Sequence, residues 1–148
     1  MQLVDKDKVE NCKCILVDLM EIESIVKIAD KMNKIMVENN GVGLAAPQVG
    51  IFKRFFIMKN FHGEGYDLII NPEIVWENNK HTLFREGCLT YNSKIEKPTY
   101  VIKRPKSIIG KYYEGDGRYA EKRMSKLTAQ IFQHENDHLD GITIFNRR

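Results

Sequence analysis

Residues 125–141 read Ser125-Lys126-Leu127-Thr128-Ala129-Gln130-Ile131-Phe132-Gln133-His134-Glu135-Asn136-Asp137-His138-Leu139-Asp140-Gly141. Leu127, Ile131 and Phe132 fall at helical spacing and Asp140-Gly141 supplies a stop, so the spacing predicts a helix from about Ser125 to Leu139. Upstream the pattern shortens to β-type runs: Phe55-Phe56-Ile57-Met58, Tyr66-Asp67-Leu68-Ile69-Ile70 and Ile74-Val75-Trp76. Gly63-Glu64-Gly65, Asn71-Pro72 and Asn78-Asn79 read as turns between them. Further strands are predicted at Thr99–Lys103, Ser107–Tyr113 and Arg118–Arg123, with Gly115-Asp116-Gly117 as a hairpin turn. Residues 18–40 give a first helix. Its apolar stripe is Ile22, Ile25, Val26, Ala29, Met32 and Met36, Asp18 and Glu21 stand in capping-box relation, and Gly41 is the stop. The order helix, many short strands, helix predicts an α+β fold, with antiparallel sheets packed around the C-terminal helix and an N-terminal helix beside them.

The chain has 148 residues, which is one domain's worth, and a single domain over residues 1–148 is expected. Apolar residues at 43% and charged ones at 29% exclude a disordered tail. The net charge of +3, from 23 basic and 20 acidic residues, is too mild for a nucleic-acid footprint. No apolar run is long enough to span a membrane. The start, Met1-Gln2-Leu3-Val4-Asp5-Lys6-Asp7, has no basic-then-apolar signal pattern, so a cytoplasmic location is expected. Three cysteines make a poor disulfide framework. The useful question is whether one of them is a ligand or a nucleophile.

His134-Glu135-Asn136-Asp137-His138 carries the chemistry. Residues four apart on a helix point the same way one turn apart, so both imidazoles can meet one metal ion. Glu135 projects beside them, as a general base for a metal-bound water must. A catalytic site of this kind wants three protein ligands and one open position. Gly141 fits the extended metallopeptidase pattern, but Ile144 stands where its third histidine belongs, and only ten residues follow His138. The third ligand is therefore expected upstream, among His62, His81, Cys88 and the carboxylates. His62 and His81 lie in polar, turn-like stretches that favour solvated side chains. Cys88, in Arg85-Glu86-Gly87-Cys88-Leu89-Thr90, is preferred, because a thiolate binds soft and borderline divalent ions well. Nothing around Cys12 and Cys14 suggests metal or base chemistry. Gly41-Val42-Gly43-Leu44-Ala45-Ala46-Pro47-Gln48 forms a compact strip that a ligand's backbone can approach, ending in an amide able to donate to an oxyanion.

Three segments in this order, Gly41–Gln48, Glu86–Thr90 and Gln133–His138, resemble the peptide deformylase family. That family's motifs are Gly-x-Gly-x-Ala-Ala-x-Gln, Glu-Gly-Cys-Leu-Ser and Gln-His-Glu-x-Asp-His. Leu68–Ile74 also matches the strand preceding the family's cysteine motif, and the resemblance covers about residues 22 to 145. It implies hydrolysis of the N-formyl group from N-formylmethionyl peptides, on nascent chains at the ribosome. Cys88, His134 and His138 would hold one divalent metal ion, Fe2+ foremost, with Zn2+, Ni2+ or Co2+ as substitutes. Glu135 would shuttle the proton, and Gln48 with the backbone N–H of Leu89 would bind the oxygen of the tetrahedral intermediate. Val42, Glu86, Leu127 and Ile131 would border the methionine pocket, and Gly43 would offer backbone groups to the peptide.

The chain departs from the family pattern at Thr90, usually serine, and at Gln130, usually aliphatic. It also lacks the proline-containing first strand and the long C-terminal helix of many members. Three other readings compete: a general metallopeptidase on the same helix, a metal-stapled binding module, and a folded but inactive family member. Ile144 disfavours the first. The second lacks an obvious fourth ligand and gives Glu135 no purpose.

Overall fold

A computed structural model of the chain describes residues 1–89 and 99–147. Its helices are α1 (Lys6–Val9), α2 (Ile22–Glu38), α3 (Lys126–Leu139) and α4 (Ile144–Arg147), with 3₁₀ turns at Leu19–Glu21 and Ala46–Val49. Its strands are β1 (Gly43–Ala45), β2 (Phe55–Lys59), β3 (Tyr66–Glu77), β4 (His81–Glu86), β5 (Tyr100–Pro105), β6 (Ser107–Tyr113) and β7 (Tyr119–Ser125). One antiparallel sheet has the order β1-β2-β3-β6-β7, and β4 pairs with β5 in a separate two-stranded sheet.

The continuous apolar run Phe55-Phe56-Ile57-Met58 has no polar side because both faces of its strand are covered. Successive side chains on a strand point to opposite faces. Phe55 and Ile57, with Leu44, Leu68 and Ile70, meet the α2 stripe of Ile25, Ala29, Met32 and Met36. Phe56 and Met58, with Ala45, Ile69, Ile108, Tyr112 and Met124, meet Ala129, Ile131, Phe132 and Leu139 of α3. The large sheet therefore lies between the two long helices, and each buried phenylalanine contributes roughly 1.5–3 kcal/mol. Phe132 reaches the sheet at Gly110, where a Cβ would stand 2.8 Å from its ring. It also meets Phe56 edge-on, with centroids 5.2 Å apart.

The ends of α3 follow from local chemistry. Gly141, at φ +73°, turns the chain left-handed, and the Ile142 N–H donates to the Asp137 carbonyl (2.9 Å) while the Gly141 N–H donates to that of His138 (3.1 Å). That double closure is a Schellman motif. At the other long helix, the Asp18–Glu21 capping box closes the 3₁₀ turn Leu19–Glu21, so α2 begins only at Ile22.

The sequence reading of Asn71-Pro72 as a turn is corrected: Tyr66 to Glu77 is one strand. Asn71 takes φ +51°, and its side chain accepts from the Val17 N–H and donates to the Val17 carbonyl. The pairing with β6 slips between Ile70 and Glu73, so Pro72 sits where no ladder N–H is required. The strand begun at Thr99 in the sequence reading starts at Tyr100 and runs on to Pro105. His81, placed in a turn-like stretch, opens β4 and is exposed. Thr90 lies outside the described residues.

The small sheet docks separately. Cys88, Ile102 and Ile144 form a third apolar cluster, joined by Tyr100 and Phe145. Among the described residues no helix is long and apolar enough to cross a membrane. Gly110→Ala should cost about 1–3 kcal/mol, because the added methyl meets a ring held by the sheet. Urea midpoints should show this, and Phe132→Leu in the same chain should recover part of the loss.

Candidate metal centre

His134 and His138 stand a turn apart on α3, with ring centroids 4.7 Å from one another and planes nearly perpendicular. β4 ends at Glu86, and Gly87 carries the chain to Cys88, whose Sγ lies 3.4 Å from His138 Nε2. One donor atom from each of Cys88, His134 and His138 falls within 4.8 Å of the others. All three side chains are buried.

Each imidazole is fixed through its other nitrogen. His138 Nδ1 donates to the Ile142 carbonyl (3.0 Å), which the Schellman turn brings back beneath the ring. His134 Nδ1 donates to Glu86 Oε1 (2.8 Å). Both Nε2 atoms are thereby left as lone-pair donors, the tautomer that metal binding requires. Glu86 is in turn gripped by Arg104, whose Nε and Nη2 donate to its two oxygens at 2.6 and 2.8 Å. Arg104 Nη1 donates to Asp137 on α3 (2.9 Å), and Arg147 of α4 donates to the other oxygen of Asp137 (3.1 Å). Burial alone would raise Glu86, but the Arg104 donors and the His134 ring outweigh it and bring the carboxyl down to about 2.

Electrostatics follow the same layout. Burial pushes the Cys88 thiol up, yet the charge and hydrogen bonding of His138 and His134 hold it well below its ordinary value. Burial alone would lower both imidazoles, but contacts with Cys88 and, at His134, with Glu86 raise them. Burial raises Glu135, against the pull of the two histidines.

Glu135 lies against the backbone of β1. A Cβ on Gly43 would stand 2.6 Å from Glu135 Oε2, so only glycine admits this carboxylate. Its Oε1 is buried, has no hydrogen-bond partner among the described residues and lies 3.9 Å from His138 Nε2. Gln48 sits across from it: the Ala45 N–H donates to Gln48 Oε1 (2.8 Å), which turns the Nε2 toward Cys88 Sγ, 3.6 Å away. These groups edge a cavity of 520 Å³, also bordered by Val42, Gly43, Glu86, Leu89, Leu127, Gln130 and Ile131. Val42 and Leu127, apolar yet 41% and 47% exposed, form its open walls.

The structure thus gathers Cys88, His134, Glu135, Gln48, Val42, Gly43, Glu86, Leu89, Leu127 and Ile131 around one cavity, and His138, which does not line it, meets Cys88 Sγ through Nε2 at 3.4 Å. His62 and His81 are exposed and do not take part in the Cys88–His134–His138 cluster. Cys12 and Cys14 lie behind α3, Cys12 donating to the His138 carbonyl (3.5 Å). A thiol with strong thiolate character, two imidazoles of fixed tautomer and a buried carboxylate oxygen with no hydrogen bond among the described residues fit a divalent ion of borderline softness with a reacting molecule beside it. Sequence reasoning missed Arg104, Asp137 and Arg147 as supports. The signal for Arg104 was strand alternation, since Ile102 and Arg104 share the inward face that Val101 and Lys103 avoid.

Comparison with known proteins agrees with this arrangement. Residues 3–148 match the family model described as polypeptide deformylase. The chain is 40% identical over 125 residues to the peptide deformylase of Thermotoga maritima, covering 84% of this chain and 73% of that one. The crystal structure of the Thermotoga maritima enzyme superposes with a TM-score of 0.87 at 36% identity, over 99% of this chain and 95% of that one. A probable peptide deformylase from synechococcus phage S-SSM7 gives 0.90 at 32%, over 100% and 99%.

Arg104→Met leaves Glu86 buried without its cation and should cost about 3–5 kcal/mol in denaturant unfolding. Glu86 is depressed in the folded state, so the stability it contributes is complete above its ordinary value of 4.5 and is lost as pH falls through about 2. Acid titration of wild type and variant should therefore converge toward pH 2.

Proposed function

The chain belongs to the polypeptide deformylase family, enzymes that remove the formyl group from N-formyl peptides, and from that membership we propose the chemistry of its cavity residue by residue. Residues 1–148 act as one catalytic domain on N-formylmethionyl nascent chains in the cytoplasm, close to the ribosome. The observation that carries the reading is the buried Oε1 of Glu135, which among the described residues has no hydrogen-bond partner and lies 3.9 Å from His138 Nε2, beside the Cys88–His134–His138 donor set.

Cys88 Sγ, His134 Nε2 and His138 Nε2 would hold one divalent ion, with Fe2+ the natural choice and Zn2+, Ni2+ or Co2+ as substitutes. Such an ion supplies Lewis acidity, polarising a carbonyl and bringing the pKa of water toward neutrality. Glu135 Oε1 accepts a proton from the water that attacks the formyl carbon, and burial, which raises its affinity for a proton, suits it to hold that proton. The C–N bond then breaks, and Glu135 delivers the proton to the departing amine, leaving formate and a free N-terminus. Charge growing on the formyl oxygen meets Gln48 Nε2, already aimed by the Ala45 N–H, and the backbone N–H of Leu89. Val42, Leu127 and Ile131 hold the methionine side chain away from water, while the backbone at Gly43 meets the peptide. Glu86 edges the pocket and, through its bond to His134, keeps Nε2 free.

Protein stripped of metal and reloaded with Fe2+ under nitrogen, or with Ni2+, should release formate from formyl-Met-Ala-Ser. Glu135→Gln should reduce kcat by about 10²–10⁴-fold, the share general acid–base catalysis supplies. No release above that variant would sink the reading. Chelation should abolish activity while far-UV circular dichroism stays native, because the Arg104 network holds the site together without the ion. A structural site would unfold instead.

A further inference from the structure

Gln130 puts an amide into an otherwise apolar stretch of the cavity wall. On α3 the residues facing the cavity are Leu127, Gln130, Ile131, His134 and Glu135, and Val42 stands opposite. A rise of 1.5 Å per residue sets Gln130 about 6 Å along the helix from His134, within the reach of one methionine side chain whose formyl group lies at the metal ligands. Gln130 Nε2 donates to the Arg85 carbonyl at 3.3 Å, longer than the usual 2.9–3.0 Å, and Arg85 itself is held by Thr99 Oγ1 (3.1 Å). The amide is therefore weakly committed and has a second N–H to offer.

A methionine thioether gives that N–H only a weak acceptor, so filling the pocket strips water from the amide and returns little. A sulfoxide at the same atom is a full acceptor. Oxidation of the side chain makes it polar and chiral, which an apolar wall penalises and a donor at the right height offsets. We propose that Gln130 lets the enzyme deformylate chains beginning with formylmethionine sulfoxide as well as formylmethionine. The sulfoxide oxygen accepts from Gln130 Nε2, and the hydrolytic step at the formyl carbon is unchanged. This rests on the deformylase reading above.

The test compares kcat/KM for formyl-Met-Ala-Ser and for each sulfoxide epimer of it, in wild type, Gln130→Leu and Gln130→Glu. Leucine is as good a helix former as glutamine and the side chain is half-buried, so the fold is retained. The sulfoxide-to-thioether ratio should fall about three- to tenfold in Gln130→Leu, the worth of one neutral hydrogen bond. It should fall again in Gln130→Glu, which keeps size and polarity but cannot donate. Wild type should favour one epimer, and both variants should lose that preference. An unchanged ratio in either variant overturns the proposal while leaving the deformylase reading intact. Absence of formate from every peptide overturns both.

Discussion

The site depends on one buried cation. Arg104 is 1% exposed and divides its donors between Glu86 at the end of β4 and Asp137 on α3. The chain leaving β4 carries the sulfur of Cys88 and α3 carries the imidazoles, so the guanidinium holds together the parts of the site that lie far apart in the chain. A buried ion pair of this kind is a poor source of net stability, since desolvation consumes most of the Coulombic gain. Its effect is geometric. The planar fork aligns the Glu86 carboxylate, the carboxylate fixes the His134 ring, and Arg147 neutralises the remaining charge on Asp137 and fastens α4 to the same network.

Around that anchor the cavity groups are positioned by subtraction as much as by contact. Gly43 contributes nothing beyond its backbone, and the Glu135 carboxylate fills the space a side chain would take. Gln48 is aimed by a main-chain N–H whose only possible role is to donate, so the amide's orientation is settled before any substrate arrives. The cavity is a pre-set polar end attached to an apolar wall, which suits a ligand that is itself polar at one end and greasy along its side chain.

How much of this could be read from the chain differs by kind of signal. The α3 helix and its paired histidines were legible because i, i+4 spacing is a local property, and the α2 stripe likewise. That Phe55-Phe56-Ile57-Met58 is a strand was legible too, though not that two helices cover it, since a two-sided run carries no face label. Cys88 could not be joined to His134 and His138 by periodicity at all, and entered because a thiolate suits a borderline divalent ion better than the solvated His62 and His81, a choice the motif resemblance then matched. Asn71-Pro72 misled because turn residues also serve bulges: the Asn71 amide satisfies both backbone groups of Val17, a partner 54 residues away that no local window contains. Arg104 was missed although alternation with Ile102 puts it on the inward face of β5, because a basic residue reads as solvated until its distant acidic partners are known.

The two imidazoles are supported by different kinds of atom. Behind His134 stands a carboxylate side chain, so replacing Glu86 removes the support and reveals it. Behind His138 stands the main-chain oxygen of Ile142, delivered by the left-handed Gly141. Truncating Ile142 to alanine leaves that oxygen in place. Scanning mutagenesis would therefore map half of the ligand scaffold and report the other half as silent, although both halves orient their rings by the same bond.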